Sequence, residues 1–309
     1  MNMNKITLEN IKLERLLVSV IIPVRDDPRI ELLLKSLKKQ TIDENLYETI
    51  VIENGSSKFK EMCKEFNVIY FNDSWANTAN ARNLGLQHSK SDFILFTDSD
   101  CTVSDTWIEN LLKYINNNPD IDVVGGSIER FYPKTIVQKY GSNLVNGQKE
   151  LNYLPILNLP YVVCANALFR RESLLSIGGF DTSLISGNDV DICYKLGLIG
   201  KKIKICQNAV VYHDNRSSFV KHFFRFYNYA IYQVGLFKKF RVHSEKKILF
   251  NTYSYKCIYF GSIKIIQSIY FKKQKRAEYF WEGILLIVEG LGVFFGDVAG
   301  SIKFKLIYL

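Results

Sequence analysis

Leu17–Val24 is an apolar run broken only by Ser19. A run of this length without alternation predicts a strand covered on both faces, as in a parallel sheet. Pro23 fits such a strand only near its end. The period then changes. Ile30, Leu33, Leu34 and Leu37 share one side of a predicted amphipathic helix over residues 28–40. Tyr47–Ile52 is a second buried strand, and the Asn54-Gly55 pair after it signals a turn, with Ser56 or Ser57 available to cap the next helix. Val68–Phe71 and Phe93–Thr97 read as further strands, and residues 79–88 and 105–117 as helices. The β-α-β-α order predicts an α/β fold: a doubly wound, mostly parallel sheet with helices on both faces. Val123–Phe131, Tyr161–Phe169 and Lys204–Tyr212 continue as strands, and a helix opens at Asn188 and runs through Leu198. Residues 132–160, with Pro133, Pro155 and Pro160, read as an irregular loop or flap.

From residue 219 the pattern is different. Phe219, Phe223, Phe226, Tyr227, Ala230, Ile231, Val234 and Phe237 recur at helical spacing, with Lys221, Arg225 and Lys238 on other faces. Residues 247–271 add a second run rich in Ile, Tyr and Phe, followed by the basic cluster Lys272-Lys273-Gln274-Lys275-Arg276. Gly283–Gly296 is strongly apolar, is interrupted by Glu289, and falls short of the ~20 residues that span a bilayer.

Charge sharpens that division. Residues 1–217 hold 25 Lys and Arg against 26 Asp and Glu, whereas residues 218–309 hold 15 against 5. Of the 42 aromatic residues, 23 lie in those last 92. The chain therefore divides near Ser217 into residues 1–217 and a basic, aromatic tail, 218–309. Helices of this composition lie in a membrane interface, apolar side down and cations at anionic headgroups; packing on the first part or on a second copy is the alternative. The six cysteines are too far apart for a zinc or disulfide framework, and the first residues carry acids where a signal peptide has an apolar core. A cytoplasmic protein, peripheral on the inner face of the cell membrane, is the resulting expectation.

Candidate chemistry collects at strand ends. In a doubly wound sheet the ligand lies outside the carboxyl ends of the strands. Three polar clusters fall there: Pro23–Asp27, Glu53–Ser57 and Asp98-Ser99-Asp100. Two acids flanking a small residue suit one hard divalent cation that also takes oxygens from a diphosphate. The same residues are equally at home at a helix N-terminus, with Asp100 or Ser104 as its cap.

The segments VSVIIPVRDDP, ETIVIENGSS, NTANARNLGLQHSKSDFILFTDSDC and ALFRRESLLSIGGFDTSLISGNDVDICYKLGLIGKKIKICQNAVVYH occur in this order. Together, over about residues 16–217, they resemble family 2 glycosyltransferases of the GT-A fold. The resemblance implies inverting transfer of a sugar from a nucleotide diphosphate, UDP favoured, to an acceptor hydroxyl. It implies nucleotide-sugar contacts from Pro23, Glu53, Arg82, Asp98 and Ser99. Glu53 stands where Asp is usual. It also implies Mn²⁺ or Mg²⁺ held by Asp98 and Asp100, with His213 as a third ligand. The family's Glu-Asp-x-Asp motif corresponds to Asn188-Asp189-Val190-Asp191, which makes Asp189 the favoured general base and Asp191 the second choice. Asn188 replaces the usual Glu, which keeps a degenerate, scaffolding transferase as an alternative. With the tail, the resemblance points to a glycan or lipid-linked acceptor in surface polysaccharide synthesis. A nucleic-acid-binding protein would share the basic, aromatic composition, but leaves Asp98, Asp100 and Asp189 without a role; no nucleic-acid partner is expected.

Overall fold

The computed structural model describes residues 16–55, 57–74, 77–141, 148–214, 218–244, 251–306 and 308, without the side chain of residue 274. Ser56, Ser217 and residues 1–15, on which sequence expectations fell, lie outside them. The chain forms two compact units. The first comprises Met1–Glu129, Gln148–Asn152 and Leu159–His213; the second comprises Arg130–Gly147, Tyr153–Asn158 and Asp214–Leu309.

The first unit is built on one eight-stranded sheet: β1 (Val18–Val24), β2 (Tyr47–Asn54), β3 (Ile69–Asp73), β4 (Phe93–Phe96), β5 (Cys101–Val103), β6 (Val123–Arg130), β7 (Ala167–Arg170) and β8 (Ile203–His213), in the order β3-β2-β1-β4-β7-β6-β8-β5. The half from β3 to β4 is parallel. Beyond it, β7 runs antiparallel to β4 and β6, and β5 antiparallel to β8. Among the described residues six α-helices belong to this unit: α1 (Ile30–Leu37), α2 (Lys60–Glu65), α3 (Thr78–His88), α4 (Trp107–Asn117), α5 (Arg171–Ser176) and α6 (Asn188–Leu198).

Strand alternation explains the layers. Val18, Val20, Ile22 and Val24 of β1 enter a core shared with Leu33, Leu34 and Leu37 of α1 and Trp107, Leu111 and Ile115 of α4. Ile21 enters the opposite core, with Leu86 of α3, Leu174 of α5 and Ile192 and Leu196 of α6. The unbroken run is thus one strand buried on both faces, and helices cover both, as the sequence predicts. Gly85 makes the α3 contact close, because a Cβ there would lie 2.4 Å from Cγ2 of Ile21.

Two expectations are corrected. Tyr161–Phe169 is not one strand: the chain turns through a 3₁₀ segment at Cys164–Asn166 before β7 begins. Asn166 causes the break. Fully buried, it accepts from Nε1 of Trp107 (2.8 Å) and donates to the carbonyls of Ser127 (2.8 Å) and Ala209 (3.0 Å), which ties α4, β6 and β8 together. Ser57 does not cap α2; Phe59 is its N-cap, without a side-chain hydrogen bond. Within the irregular 132–160 stretch, Ile136–Tyr140 is a short helix closed by a Thr135–Gln138 capping box.

The second unit carries three long helices, α7 (Phe219–Phe240), α8 (Tyr253–Ser268) and α9 (Lys273–Phe304). Gly292, Gly296 and Gly300 of α9 lie against α7, where added Cβ atoms would sit 2.8 Å, 2.4 Å and 3.0 Å from the carbonyl oxygens of Phe223, Tyr227 and Ile231. Gly283 of α9 and Gly261 of α8 approach each other in the same way. The expectation of an apolar run too short to span a bilayer is overturned: Lys275–Phe304 is one helix of 30 residues, long and apolar enough to cross a membrane by length and composition. Half of its most apolar stretch is buried within the protein. Glu289 is fully buried, where it accepts from the Tyr253 hydroxyl and lies 3.7 Å from Nε2 of His222. Asp297 is likewise buried and accepts from Asn251 at 2.9 Å.

Candidate active site

The candidate site assembles at the ends of β1, β4 and β8 and the starts of α3 and α6. Asp98 and Asp100 follow β4 in a turn closed by the Cys101 N–H on the Asp98 carbonyl (3.1 Å). Neither Asp100 nor Ser104 caps α4. The chain first forms β5, and the α4 N-cap is Thr106, without a side-chain hydrogen bond. This short strand also completes the site. It pairs with β8 so that His213 is the register partner of Cys101, which sets Nε2 of His213 3.4 Å from Oδ1 of Asp100.

Arg82 is the centre of the arrangement. Its side chain is 6% exposed; Nη2 donates to Oδ1 of Asp98 at 3.0 Å and Nη1 to Oδ1 of Asp189 at 3.3 Å. The Phe180 ring lies 5.6 Å from the guanidinium carbon. The surrounding asparagines explain how α3 aims it. Asn77 caps the helix through the N–H groups of Ala79 and Asn80 and donates to the Thr182 carbonyl at 2.8 Å. Asn83 both accepts from the Phe180 N–H (2.9 Å) and donates to its carbonyl (2.8 Å). That pair fixes the Gly178-Gly179 turn, where both glycines have positive φ.

Asp189 stands in the first turn of α6, its side chain 26% exposed. Asp191, two residues on, is buried and paired with Lys195 at 2.9 Å, so it is held in the protein while Asp189 faces Arg82. Asn188 is buried beside them. The Asp98 carboxyl is pushed above the usual carboxylate range by loss of hydration, opposed by the Arg82 guanidinium and reinforced by the nearby Asp100 and Asp189.

Among the described residues, ligating atoms of Asp100, Cys101 and His213 lie within 4.8 Å of one another. The carboxylate and imidazole suit Mn²⁺ or Mg²⁺. The Cys101 thiol does not. Burial, with Asp100 and Asp98 close by, raises it well above its ordinary value and keeps it protonated. Asp98, expected as a ligand, directs Oδ1 at Arg82. Sequence reasoning also missed Arg29, which is held by Asp27 at 2.7 Å and reaches Oδ2 of Asp100 at 3.5 Å. The basic residue in the Asp-Asp-Pro-Arg segment was the available signal.

Glu53 is fully buried at the end of β2. Its Oε1 accepts from the Lys58 N–H at 2.8 Å; its Oε2 accepts from the Phe59 N–H at 3.1 Å and the Tyr70 hydroxyl at 2.8 Å. The longer side chain thereby braces the turn into α2. Pro23 is buried in β1 opposite Ile52, and Ser99 is buried between the two acids.

Comparison with known proteins identifies the family. The family described as Glycosyl transferase family 2 matches residues 19–178. The chain is 31% identical over 210 residues to a pre-mycofactocin glycosyltransferase of Mycobacterium tuberculosis, covering 65% of this chain and 43% of that protein. It is 29% identical over 209 residues to the glycosyltransferase AglE of Haloferax volcanii, covering 64% of this chain and 67% of AglE. It thus spans less than half the length of the first of these relatives. The crystal structure of S. aureus TarS superposes with a TM-score of 0.52 at 18% identity, over 71% of this chain and 39% of TarS.

Proposed function

Because the chain belongs to glycosyl transferase family 2, we propose that it is an inverting glycosyltransferase that moves a sugar from a nucleotide diphosphate, UDP favoured, to an acceptor hydroxyl. The observation that carries this reading is the convergence of Arg82, Asp98, Asp100, Asp189 and His213, from α3, the β4 end, α6 and β8, through the ion pairs Arg82–Asp98, Arg82–Asp189 and His213–Asp100.

In this reading Asp189 is the general base. It is a partly exposed carboxylate at a helix start, held in orientation by one Arg82 nitrogen and next to the Cys164 thiol, and it takes the proton of the attacking hydroxyl. Arg82 and Asp98 form the floor on which the nucleotide sugar is oriented, with Pro23, Ser99 and the Glu53-braced turn forming the nucleotide side. Arg29 and Arg82 place positive charge where the leaving diphosphate develops negative charge. Asp100 and His213, with Asp98 alongside, would hold Mn²⁺ or Mg²⁺, which supplies charge neutralisation to the departing diphosphate. No covalent sugar–enzyme intermediate is needed, because direct attack inverts the anomeric centre.

The second unit supports a site of action at a membrane surface. Its basic balance and exposed apolar side chains, among them Phe224, Tyr259, Phe260, Ile269 and Tyr270, fit a peripheral position on the inner face of the cell membrane and an acceptor that is lipid-linked or part of a surface glycan. The two relatives named above are glycosyltransferases by name, which supports glycosyl transfer; the name of the first sets pre-mycofactocin as the acceptor of that protein alone.

The test is Asp189→Asn. Calorimetry with UDP and Mn²⁺ should give the wild-type affinity, while sugar transfer, or hydrolysis of UDP-sugar in its place, should fall by about 10²–10⁴-fold. Retained turnover would place the base elsewhere. Wild-type protein that binds no nucleoside diphosphate would instead support the scaffold reading.

A further inference from the structure

The active-site reading leaves the corner between α8 and α9 without a role. The α8 helix ends at Ser268, and α9 begins four residues after Ile269. Between them is a cavity of about 510 Å³ lined by Ser268, Ile269, Lys273, Arg276, Ala277, Phe280 and Trp281. Lys273, Arg276 and Phe280 recur at helical spacing on one side of α9, so cations and an aromatic ring enter the same notch. Its lip is apolar and open: Ile269 is 65% exposed and Tyr270 83%.

The charge here runs against the helix. Lys272, Lys273, Lys275 and Arg276 crowd the positive end of the α9 dipole, where cations are unfavourable and anions favourable. The first turn contains no acidic residue, and no side chain caps it. Among the described residues none of these four makes a salt bridge; Arg276 donates only to the Ile269 carbonyl at 3.1 Å, and Lys275 lies over the Phe271 ring. Cations without an acidic partner, uncapped N–H groups and an apolar lip together describe a receptor for an anion that carries a hydrocarbon chain.

We propose that this notch binds the phosphate group of a membrane lipid, with Lys273 and Arg276 on the phosphate oxygens and Trp281, Phe280 and Ile269 against the glycerol or upper chain. The inference rests on the membrane reading of the second unit and gives it one address. The phosphate would anchor the α8–α9 corner in the headgroup layer, and the exposed Tyr270 and Ile269 would enter the acyl boundary beside it.

The test is co-sedimentation of the full chain with vesicles of phosphatidylcholine alone or doped with phosphatidylglycerol. The wild type should bind the doped vesicles. Lys273→Gln with Arg276→Gln should weaken that binding by about tenfold or more. The charge-preserving pair Lys273→Arg with Arg276→Lys should retain it, and Lys256→Gln with Lys303→Gln, which removes the same charge elsewhere in the unit, should cost less. Brominated phosphatidylglycerol should quench Trp281, a signal absent from Trp281→Phe. Equal losses in the two Gln pairs, or quenching that survives Trp281→Phe, would overturn the notch as the site. Release from vesicles by excess inorganic phosphate would assign the site to a free anion and overturn the lipid. A wild type that binds no vesicle would overturn the membrane reading itself, without touching the active site.

Discussion

Replacing Arg82 by Gln is the most informative single perturbation of this protein. The side chain is 6% exposed and serves two carboxylates that belong to distant parts of the chain, Asp98 at 3.0 Å and Asp189 at 3.3 Å. Each charge-assisted hydrogen bond contributes about 1.5–3 kcal/mol, and removing one member of a fully buried pair costs about 3–5. Here the two carboxylates are 34% and 26% exposed, so water repays part of their loss, and an estimate of roughly 2–4 kcal/mol is appropriate. The change also leaves Asp98 and Asp189 facing each other without an intervening cation, which adds repulsion in the cleft. Thermal and urea melts of the wild type, Arg82→Gln, Asp189→Asn and the double variant form a double-mutant cycle. A coupling of about 1–2 kcal/mol is expected, because Asp189→Asn removes one of the stranded charges. Donor affinity should fall in Arg82→Gln and should not return in the double variant, since restored stability is not restored orientation. An Arg82→Gln protein that melts with the wild type, or a coupling below about 0.5 kcal/mol, would refute the idea that this guanidinium organises the site.

Three further outcomes are expected. Asp100→Ala or His213→Ala should abolish Mn²⁺ binding in titration calorimetry, whereas Cys101→Ser should leave it intact; sensitivity to Cys101→Ser would make the thiol a ligand. Asp122 is dehydrated by burial, yet Lys201, the Lys202 N–H and Ser173 hold its carboxyl below the usual range. Its contribution to stability should therefore be complete above the unfolded carboxyl value and disappear as pH falls through the lower folded value, so melts of Asp122→Asn and wild type should converge in acid. Glu53→Ala strands the Lys58 and Phe59 N–H groups and should destabilise the first unit by about 1–3 kcal/mol; an unchanged melt would mean that the turn into α2 does not depend on it.

The parallel half of the sheet was readable because burial on both faces writes itself as uninterrupted apolar sequence, and Leu17–Val24 and Tyr47–Ile52 are such runs. The antiparallel half was less so. Asn166 breaks an apparently continuous strand for a reason that lies in Trp107 and Ala209, both more than 40 residues away. Strand β5 is three residues long, below what periodicity can register, yet it is what carries His213 to Asp100. Pattern and family resemblance together named most of the groups at the cleft, because they sit in motifs. They missed Arg29, whose relation to Asp100 exists only after β1 and β4 pair. They also missed what braces the turn after β2: Ser57, expected as a cap, does not cap α2, and the Glu53 carboxylate holds the Lys58 and Phe59 N–H groups. In the tail, Glu289 looked like an interruption of an apolar run. Three helices converge on it, and that convergence depends on the fold alone.

The α7–α9 seam has a consequence for where the second unit can reside. Gly292, Gly296 and Gly300 bring one backbone directly onto another, and van der Waals fit along that line adds to the burial of Phe226, Ala230 and Val293. The fit, unlike the burial, does not depend on expelling solvent, so that share of the cohesion is kept in hydrocarbon as in water. A single methyl group added at Gly296 would remove it.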